Sequence, residues 1–320
     1  MNTYKNTPPL SSPKVIVITG PTASGKTAVG AALAKTIGGE VVSADSMQIY
    51  KHMDIGTAKP TAQEMMGVPH HMIDIAEPWE SYSAARYIKD ASACINDIQR
   101  RNKTAVLVGG TGLYIDSLIS GREFSARADS GLRKTLEEKY DKLGGEAMLL
   151  ELSEFDPISA AKLYANDKKR IVRAFEVYKT TGKTISQHDI ESKSFPPRYE
   201  TLRVSLTFMV RADLYERIDR RVDNMLHSGL EGEVKSLLNI GVSPSATSMQ
   251  AIGYKEIASV ISGKSDLKSA VSEIKMQSRR YAKRQLSWLR RDNNAVWVTW
   301  DKTPDIEKCA AKITELYEKN

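Results

Sequence analysis

The chain has 320 residues, of which 41% are hydrophobic and 27% charged, and 46 Lys and Arg against 39 Asp and Glu give a formal net charge of +7. This ordinary globular composition suits one large or two moderate domains, and a positive excess of this size is informative only if the charges cluster. The two cysteines, Cys94 and Cys309, lie outside any CxxC pattern, which excludes a disulfide framework and a cysteine-rich zinc module.

The N-terminal stretch up to Pro13 is polar and contains no apolar segment of the signal-peptide type. No run elsewhere approaches the roughly 20 apolar residues that cross a bilayer. We therefore expect a cytoplasmic protein with no membrane partner. Residues 1–13 are predicted to form a flexible N-terminal tail.

Short β-branched strands and amphipathic helices alternate over the first third of the chain. Strands are predicted at residues 15–18, 41–44 and 105–108. One helix is predicted after the glycine-rich loop that follows the first strand, ending at Gly38-Gly39, and another at residues 83–100. Uniformly apolar strands separated by helices favour a parallel sheet that is covered on both faces.

The pattern changes between residues 122 and 198, where charged helical segments follow one another without strands. Helices are predicted there at residues 132–142, 146–154 and 168–179. Strands return at residues 202–210 and 295–300, with two helical segments between them. We therefore predict an α/β core formed by residues 14–121 and 199–320, into which an all-helical domain is inserted at residues 122–198.

Residues 20–27, Gly-Pro-Thr-Ala-Ser-Gly-Lys-Thr, match the phosphate-binding pattern G-x-x-x-x-G-K-[ST]. The motif lies between a β-branched strand and an amphipathic helix, which is the context that the pattern requires. Its glycines let backbone N–H groups turn towards phosphate oxygens, Lys26 would contact terminal phosphate oxygens, and the Thr27 hydroxyl would bind Mg²⁺. The core is therefore predicted to be a P-loop NTPase-like parallel sheet.

The motif does not identify the phosphate compound, because most loops of this type bind ATP or GTP. The strand at residues 105–108 runs into Gly109-Gly110-Thr111-Gly112 and not into the aspartate that usually supports Mg²⁺ in nucleotide hydrolases. The acid follows the second strand instead, at Asp45. A carboxylate at the carboxyl edge of a parallel sheet should face the phosphate loop, although Asp45 is equally suited to cap the next segment.

A cluster of positive charge lies at residues 275–291, which contain seven Lys and Arg and no acid. On a helix, six of them fall within an arc of roughly 140°, with a mostly apolar side opposite. They are Arg279, Arg280, Lys283, Arg284, Arg290 and Arg291. A wholly basic face of this kind is typical of an RNA-backbone contact, whereas a merely solvated face normally mixes signs.

Eight blocks of sequence, distributed over the chain, carry a family resemblance. They are GPTASGKT (20–27), SADSMQIY (43–50), DIGTAKP (54–60), PHHMID (69–74), GGTGLY (109–114), NDKKR (166–170) with Arg173-Ala174, AIGY (251–254) and AKRQLSW (282–288). In this order they resemble the bacterial-type tRNA dimethylallyltransferase, or tRNA isopentenyltransferase, family. The resemblance covers residues 14 to about 291, and an ordered set is far more specific than any single block.

The resemblance implies a reaction and a donor site. A dimethylallyl group would pass from dimethylallyl diphosphate to N6 of the adenosine 3′-adjacent to the anticodon, at tRNA position 37, giving N6-dimethylallyladenosine and diphosphate. Asp45 would be the general base, and Arg211 would help the diphosphate to leave. The loop would hold the diphosphate with Mg²⁺ through Gly20, Pro21, Thr22, Ala23, Ser24, Gly25, Lys26 and Thr27.

The expected macromolecular partner is the anticodon stem-loop of tRNA, bound by a monomer. The resemblance implies contacts near the base pocket from Asp45, Ser46, Met47, Gln48, Thr111 and Arg133, and contacts from the insertion through Lys169, Arg170 and Arg173. The basic helix adds Arg279, Arg280, Lys283 and Arg284. The target base must leave its stack, which costs a few kcal/mol and less for an unpaired loop base.

Two other functions remain open on the sequence. An adenylate isopentenyltransferase would use the same donor with a free nucleotide as acceptor, but it needs neither a long insertion nor a one-sided basic helix. A P-loop small-molecule kinase is disfavoured by the block at residues 109–114. A non-enzymatic RNA-binding module would leave the phosphate loop unexplained.

Overall fold

The computed structural model of the chain describes residues 15–121, 130–194 and 196–319. The predicted tail at residues 1–13 and the predicted first residues of the insertion, 122–129, lie outside the described part. The chain divides into two compact units, of which one is Ser120–Arg198 and the other comprises the chain on either side of it. The limits predicted for the insertion were residues 122 and 198.

The larger unit contains a parallel sheet. Its strands are β1 (Val15–Thr19), β2 (Glu40–Ala44), β3 (His70–His71), β4 (Ala105–Gly109), β5 (Thr201–Phe208) and β6 (Val296–Trp300). They lie in the order β3-β2-β4-β1-β5-β6, and every neighbouring pair is parallel. Every residue of β1, β2 and β4 is buried, as their unbroken apolar sequences require in a sheet covered on both faces. The predicted α/β fold with a parallel sheet is confirmed.

Helices connect these strands and form the insertion. In chain order they are α1 (Lys26–Thr36), α2 (Ala84–Arg100), α3 (Gly112–Ser120), α4 (Ser130–Leu143), α5 (Gly145–Phe155), α6 (Pro157–Ala160), α7 (Lys168–Thr181), α8 (Ile185–Ser194), α9 (Arg211–His227), α10 (Leu230–Asn239), α11 (Tyr254–Ile261), α12 (Leu267–Leu289) and α13 (Ile306–Lys319). None of the described helices is long and apolar enough to span a membrane.

The main core lies on one face of the sheet. Ile16 and Ile18 of β1 pack with Val29 and Leu33 of α1, and Ile313 of α13 joins the same cluster. The Tyr87 hydroxyl of α2 donates a hydrogen bond to the carbonyl of Ser43 in β2, at 2.9 Å. Helices thus cover the central strands, so that bound molecules can reach them only at their ends.

The carboxyl ends of the central strands are level with one another. In the sheet register, Gly109 of β4 is paired with Thr19 of β1 on one side and with Ala44 of β2 on the other. A Cβ at Gly109 would lie 2.2 Å from the carbonyl oxygen of Ala44, so only glycine allows this approach. The segments that follow the three strands therefore begin side by side at one edge of the sheet.

The insertion has a small core of its own. Leu136 of α4, Met148 and Leu152 of α5 and Ile171 and Phe175 of α7 are buried together. Its described residues form helices and connecting turns only, as predicted. α4, α5 and α7 contain the three predicted helical segments.

Between β5 and β6 the chain forms four helices, α9 to α12, where two helical segments were predicted. Gly229 and Gly253 have φ values of +97° and +101° and precede α10 and α11 directly. Such left-handed conformations favour glycine and divide the apolar pattern into shorter helices. The predictions also missed β3, which is only two residues long, and α3, whose glycine-rich start gives no helical signal.

Candidate active site

The phosphate loop, residues 20–25, joins β1 to α1 in a tight turn. The N–H of Ser24 donates to the carbonyl of Pro21 at 3.2 Å, and Gly25, with φ +86°, precedes the first residue of α1. A Cβ at Gly20 would lie 2.4 Å from Ser24 Oγ and 3.1 Å from the carbonyl oxygen of Leu206, so a side chain at the first glycine of the motif would displace the Ser24 side chain. Lys26 and Thr27 then begin α1, where the helix dipole favours an anion.

Three side chains from distant parts of the chain hold this loop. Gln285 Oε1 of α12 accepts from the N–H of Thr22 at 2.8 Å. Arg217 Nε of α9 donates to the carbonyl of Ala23 at 3.1 Å. Trp300 Nε1 of β6 donates to the carbonyl of Ser24 at 2.9 Å. Protein groups alone thus hold the loop at three successive residues, which lowers the entropic cost of ordering it around a ligand.

A cavity of about 320 Å³ adjoins the phosphate loop. Its polar lining includes Lys26, Thr27, Asp45 and Arg221. The rest of the lining is divided about evenly between polar and apolar residues, and its larger aliphatic side chains are Val41, Ile73, Val108, Ile218, Val222, Met225, Ile252 and Ile274. A cavity of this size and mixed lining is typical of a small-molecule site.

The charges in the cavity favour an anionic ligand. Burial and the neighbouring Arg221 lower the pKa of Lys26 to about 8, although Asp45 opposes the shift. Burial also lowers the pKa of Arg221, and Asp45 again acts in the opposite direction. Two cations thus face one carboxylate, and a bound phosphate compound would compensate the excess positive charge.

Asp45 follows β2 directly, at the edge where the phosphate loop follows β1. Its Oδ1 accepts hydrogen bonds from the N–H groups of Met47, at 2.9 Å, and Gln48, at 3.4 Å. Within the described residues Oδ2 accepts no hydrogen bond, and the side chain lines the cavity. One oxygen thus caps the next turn while the other remains available to a substrate, so that the two interpretations of Asp45 are compatible.

Thr111 and Tyr281 lie close to the segment that contains Asp45. Thr111 Oγ1 accepts from the N–H of Ser46 at 3.2 Å, and the Thr111 N–H donates to the carbonyl of Ala44 at 3.2 Å. Tyr281 of α12 lines the cavity, where burial and Asp45 raise the pKa of its hydroxyl to about 12. This wall can support a bound base with both an aromatic ring and polar groups.

Another wall is the loop of residues 54–60, which Glu233 of α10 holds in place. The Glu233 carboxylate accepts from the N–H groups of Asp54, Ile55 and Gly56 at 2.8–3.1 Å and from the Tyr254 hydroxyl at 2.5 Å. A Cβ at Gly56 would lie 2.4 Å from the Tyr254 ring, so the loop packs directly on α11.

Two backbone carbonyls of the same loop accept hydrogen bonds from polar side chains that line the cavity. The carbonyl of Thr57 accepts from Arg221 at 3.3 Å, and the carbonyl of Ala58 accepts from Gln48 Nε2 at 3.3 Å. Sequence reasoning missed Glu233, whose role depends on a contact between distant segments. The Asp-Ile-Gly and Gly-Tyr blocks at residues 54–56 and 253–254 were the available signal.

The structure does not bring Arg211 to the phosphate loop. Arg211 is the exposed first residue of α9, and it is not among the residues that line the cavities beside the loop. Arg217 and Arg221 lie farther along the same helix. Both line a second cavity of about 400 Å³, which also contains Lys26 and Thr27. Arg217 and Arg221 are thus arginines of α9 that lie beside both the phosphate loop and Lys26, whereas the role of Arg211 stays a prediction.

The predicted basic face of α12 is partly neutralised by α9. Arg279 forms an ion pair with Asp219 at 2.5 Å, and Lys275 forms one with Asp223 at 2.6 Å. Arg280 and Lys283 are exposed. Arg284 is exposed and also lines the cavity, with its guanidinium 5.7 Å from the centre of the Tyr281 ring. The exposed basic surface of α12 therefore starts at Arg280 and not at Arg279.

Several insertion cations have acidic partners within the insertion. Arg133 pairs with Glu137 at 3.1 Å, and Arg170 with Asp167 at 3.4 Å. Arg173 pairs at 2.6 Å with Glu176, which is only 1% exposed. Arg173 therefore compensates a buried carboxylate in addition to any contact with RNA. Lys169 is exposed.

The oxygen ligands available beside the phosphate loop suit a metal ion that binds mainly to phosphate oxygens of a bound molecule. Among the described residues no group of three or more His, Cys, Asp or Glu side chains could hold a metal ion. Mg²⁺, however, usually keeps several waters and binds through substrate phosphates with one or two protein oxygens. The Thr27 hydroxyl lines the cavity and makes no side-chain hydrogen bond within the described chain. It fits such a role.

The fold and the loop define a phosphate-binding α/β protein of the P-loop type with an inserted helical unit. The IPP transferase family model matches residues 48–292. A tRNA dimethylallyltransferase of Carboxydothermus hydrogenoformans is 48% identical over 94% of this chain and 96% of its own. One of Caldanaerobacter subterraneus is 47% identical over 94% and 96%.

Solved structures agree with the sequence relatives. A tRNA isopentenylpyrophosphate transferase of Bacillus halodurans is 41% identical, with a TM-score of 0.71 and 96% of both chains covered. A eukaryotic dimethylallyltransferase captured acting on tRNA is 29% identical, with a TM-score of 0.83 over 97% of this chain and 80% of that one. The chain belongs to the IPP transferase family, the tRNA dimethylallyltransferases, and the predicted P-loop NTPase-like fold is confirmed.

The lowered pKa of Lys26 predicts proton uptake when a diphosphate binds. Near pH 8 about half of the Lys26 side chains are neutral in the unliganded protein, and an adjacent anion raises the pKa and restores the charged form. Affinity for an organic diphosphate should therefore fall as the pH rises through 8. Calorimetry at pH 8 in buffers of different ionisation enthalpy should show about half a proton taken up.

The ligand itself contributes little to this signal, because its last proton leaves near pH ~6, as in a phosphomonoester. A Lys26→Arg variant, whose side chain stays charged throughout this range, should bind without proton uptake. Equal heats in all buffers for the unmodified protein would mean that Lys26 is already fully charged before the ligand binds.

Proposed function

We propose that this chain transfers a dimethylallyl group from dimethylallyl diphosphate to N6 of the adenosine at tRNA position 37, next to the anticodon. The observation that carries the proposal is the cavity itself. A phosphate loop, a carboxylate with one oxygen available and a set of aliphatic side chains meet there. A prenyl diphosphate needs the phosphate loop and the aliphatic side chains, and an attacking amino group needs the carboxylate.

The donor fits the cavity better than a nucleoside triphosphate does. Ile218, Val222 and Met225 from α9 provide an apolar surface next to Lys26 and Arg221, where a branched five-carbon chain would be shielded from water. Neither β4 nor the Gly109-Gly110 turn supplies the acid that supports Mg²⁺ in nucleotide hydrolases. The reaction therefore needs no ATP.

Mg²⁺ would be held by the Thr27 hydroxyl together with the phosphates of the donor. When bound, it supplies positive charge to the departing diphosphate. Lys26 and Arg221 act on the same oxygens as they gain charge, and Arg217 extends this positive surface into the second cavity. The cations are already in place before the reaction, so their stabilisation requires little reorganisation.

In the transfer step, N6 of adenosine forms a bond to C1 of the dimethylallyl group while the bond from C1 to the diphosphate oxygen breaks. Diphosphate leaves with the electron pair of that bond. The amino nitrogen becomes positively charged and loses one proton, which Asp45 accepts. The products are the alkylated adenosine and diphosphate, and Asp45 returns its proton to water.

The acceptor is an RNA base because the surroundings of the cavity suit a base presented on a polynucleotide. Tyr281 and Thr111 lie beside Asp45, and Arg284 joins this wall to the exposed Arg280 and Lys283. Relatives of this chain are named for action on tRNA. A loop base is already unpaired, which reduces the cost of moving it into a pocket.

The decisive assay offers labelled dimethylallyl diphosphate together with either bulk tRNA or AMP. We expect label in tRNA only, no requirement for ATP, and loss of transfer in a Lys26→Ala variant or after chelation of Mg²⁺. Label in AMP instead would support an adenylate isopentenyltransferase. Tight binding and hydrolysis of ATP without prenyl transfer would support a kinase or NTPase.

Asp45→Asn is expected to reduce kcat about 100-fold or more, the usual scale for loss of a general base. The amide oxygen can still cap residues 47 and 48, so tRNA affinity and the melting temperature should remain close to those of the unmodified protein. Single-turnover kinetics and a thermal melt measure the two effects. A variant with near-normal kcat and a much lower melting temperature would leave Asp45 with a capping role only.

Alanine at both Arg280 and Lys283 is expected to weaken tRNA binding several-fold. Removal of one cation that meets a phosphate should reduce the slope of log affinity against log salt by somewhat less than ~1 unit. Filter binding over a salt series measures both effects. Dimethylallyl diphosphate affinity should not change, since neither side chain lines the cavity.

A matched control replaces Lys308 and Lys312, which are exposed on α13, with alanine. This pair removes the same charge from a helix that packs on α1, and tRNA binding should be nearly unaffected. If both double variants weaken binding equally, the effect reflects net charge and not a specific surface on α12.

A further inference from the structure

Gln285 joins two segments of the active site that belong to different strands. The side chain is buried, and its Oε1 accepts from the N–H of Thr22 in the phosphate loop at 2.8 Å. Its Nε2 donates to the carbonyl of Gly110, in the turn after β4, at 3.0 Å. One planar amide therefore links the loop that follows β1 to the turn that follows β4.

The turn after β4 packs closely against α12 through two glycines. A Cβ at Gly110 would lie 2.2 Å from Gln285 Nε2, and a Cβ at Gly112 would lie 2.6 Å from the Trp288 ring. Both glycines are thus in direct contact with α12. The residue between them, Thr111, accepts the hydrogen bond from the N–H of Ser46. The amide of Gln285 is therefore connected to the phosphate loop directly and to the Asp45 segment through this turn.

We propose that Gln285 is a positioning residue that sets the distance between the phosphate loop and the segment of residues 45–48. The inference rests on the proposed function, in which the loop holds the donor and this segment holds the acceptor base. Gln285 is not required to touch either substrate. Because transfer needs the amino nitrogen in line with the breaking bond, a displacement of about 1 Å can reduce the rate up to 100-fold.

Only polar groups of matched geometry can perform this role. An apolar side chain at position 285 would leave the Thr22 N–H and the Gly110 carbonyl without partners, and both would shift to find new ones. The exposed cations of α12, Arg280 and Lys283, occupy other positions on the helix and keep their charges in such a variant. Chemistry should therefore suffer more than RNA binding.

The test replaces Gln285 with methionine, which has a similar length and no hydrogen-bonding amide. We expect kcat to fall about 10- to 100-fold, with KM and Kd for tRNA within about twofold of the unmodified enzyme. The matched control is Gln277→Met on the same helix. Among the described residues, the Gln277 side chain bonds only to Glu273, one turn earlier on α12, and its replacement should leave kcat nearly unchanged.

A second variant, Gly110→Ala, acts on the same hydrogen bond from the other side. Its methyl group would displace the Gln285 amide, so kcat should fall in the same way as in Gln285→Met. In the double variant the flexible methionine side chain can move away from the added methyl group. The Gly110→Ala substitution should therefore reduce kcat little beyond the effect of Gln285→Met. This non-additivity is expected only if both changes act through one interaction.

The outcomes separate this inference from the proposed function. If the unmodified enzyme transfers no label to tRNA, the proposed function fails. If it does, and Gln285→Met keeps kcat within twofold in a folded protein, the positioning role is refuted. It is also refuted if the reductions in kcat of Gln285→Met and Gly110→Ala multiply fully in the double variant, or if kcat per folded molecule, corrected by the thermal melt, is normal.

Discussion

The active site depends on one steric constraint, the close approach of β4 to β2 at Gly109. Because a side chain at this position would overlap the carbonyl of Ala44, glycine lets the two strands end level with each other and with β1. The three segments that follow, the phosphate loop, the Gly110-Thr111 turn and Asp45, then have to share one edge of the sheet. Their chemistry is a consequence of this convergence, since a phosphate site and a carboxylate can act on one molecule only at such short range.

The cavity at this edge brings together the charged groups of Lys26, Arg221 and Asp45, each of which would be unfavourable to desolvate alone. Desolvation makes Lys26 easier to deprotonate, and Asp45 opposes this by stabilising the positive charge of both Lys26 and Arg221. A bound diphosphate would relieve the repulsion between the two cations. In the proposed function, the same repulsion would return when diphosphate leaves and would favour binding of the next donor molecule. The same partly desolvated surroundings strengthen each electrostatic interaction that the transition state needs.

The part of the site that sequence alone could predict is the part fixed by local geometry. Asp45 follows β2 directly, and Lys26 and Thr27 follow the phosphate loop that begins at the end of β1, so the rule that parallel strands carry ligands at their carboxyl ends is sufficient to bring them together. The position of Arg221 in the cavity depends on the register of α9 against the loop, which the sequence prediction of Arg211 could not include.

The hydrogen bonds of Gln285 to the phosphate loop and of Glu233 to residues 54–56 join residues more than 170 positions apart in the chain, and periodicity carries no information on such pairs. The sheet was predictable because its strands are uniformly apolar. The two-residue β3 and the glycine-rich start of α3 were not, because neither has a periodic pattern to detect.

The distribution of charge in α12 shows why a count of basic residues overstates an RNA surface. Lys275 and Arg279 meet Asp223 and Asp219, which lie one helical turn apart on α9, so the first part of the helix serves to join two helices of the core. Beyond this point the cations have no acidic partner in ion-pair range among the described residues, and Arg284 reaches from that surface to the cavity. Along the described residues of α12, a bound polynucleotide would thus meet uncompensated charge only beyond Arg279, where the helix passes the site. In the proposed function, cations placed there would align the RNA with the cavity, because phosphates positioned by fixed cations limit where the neighbouring bases can lie.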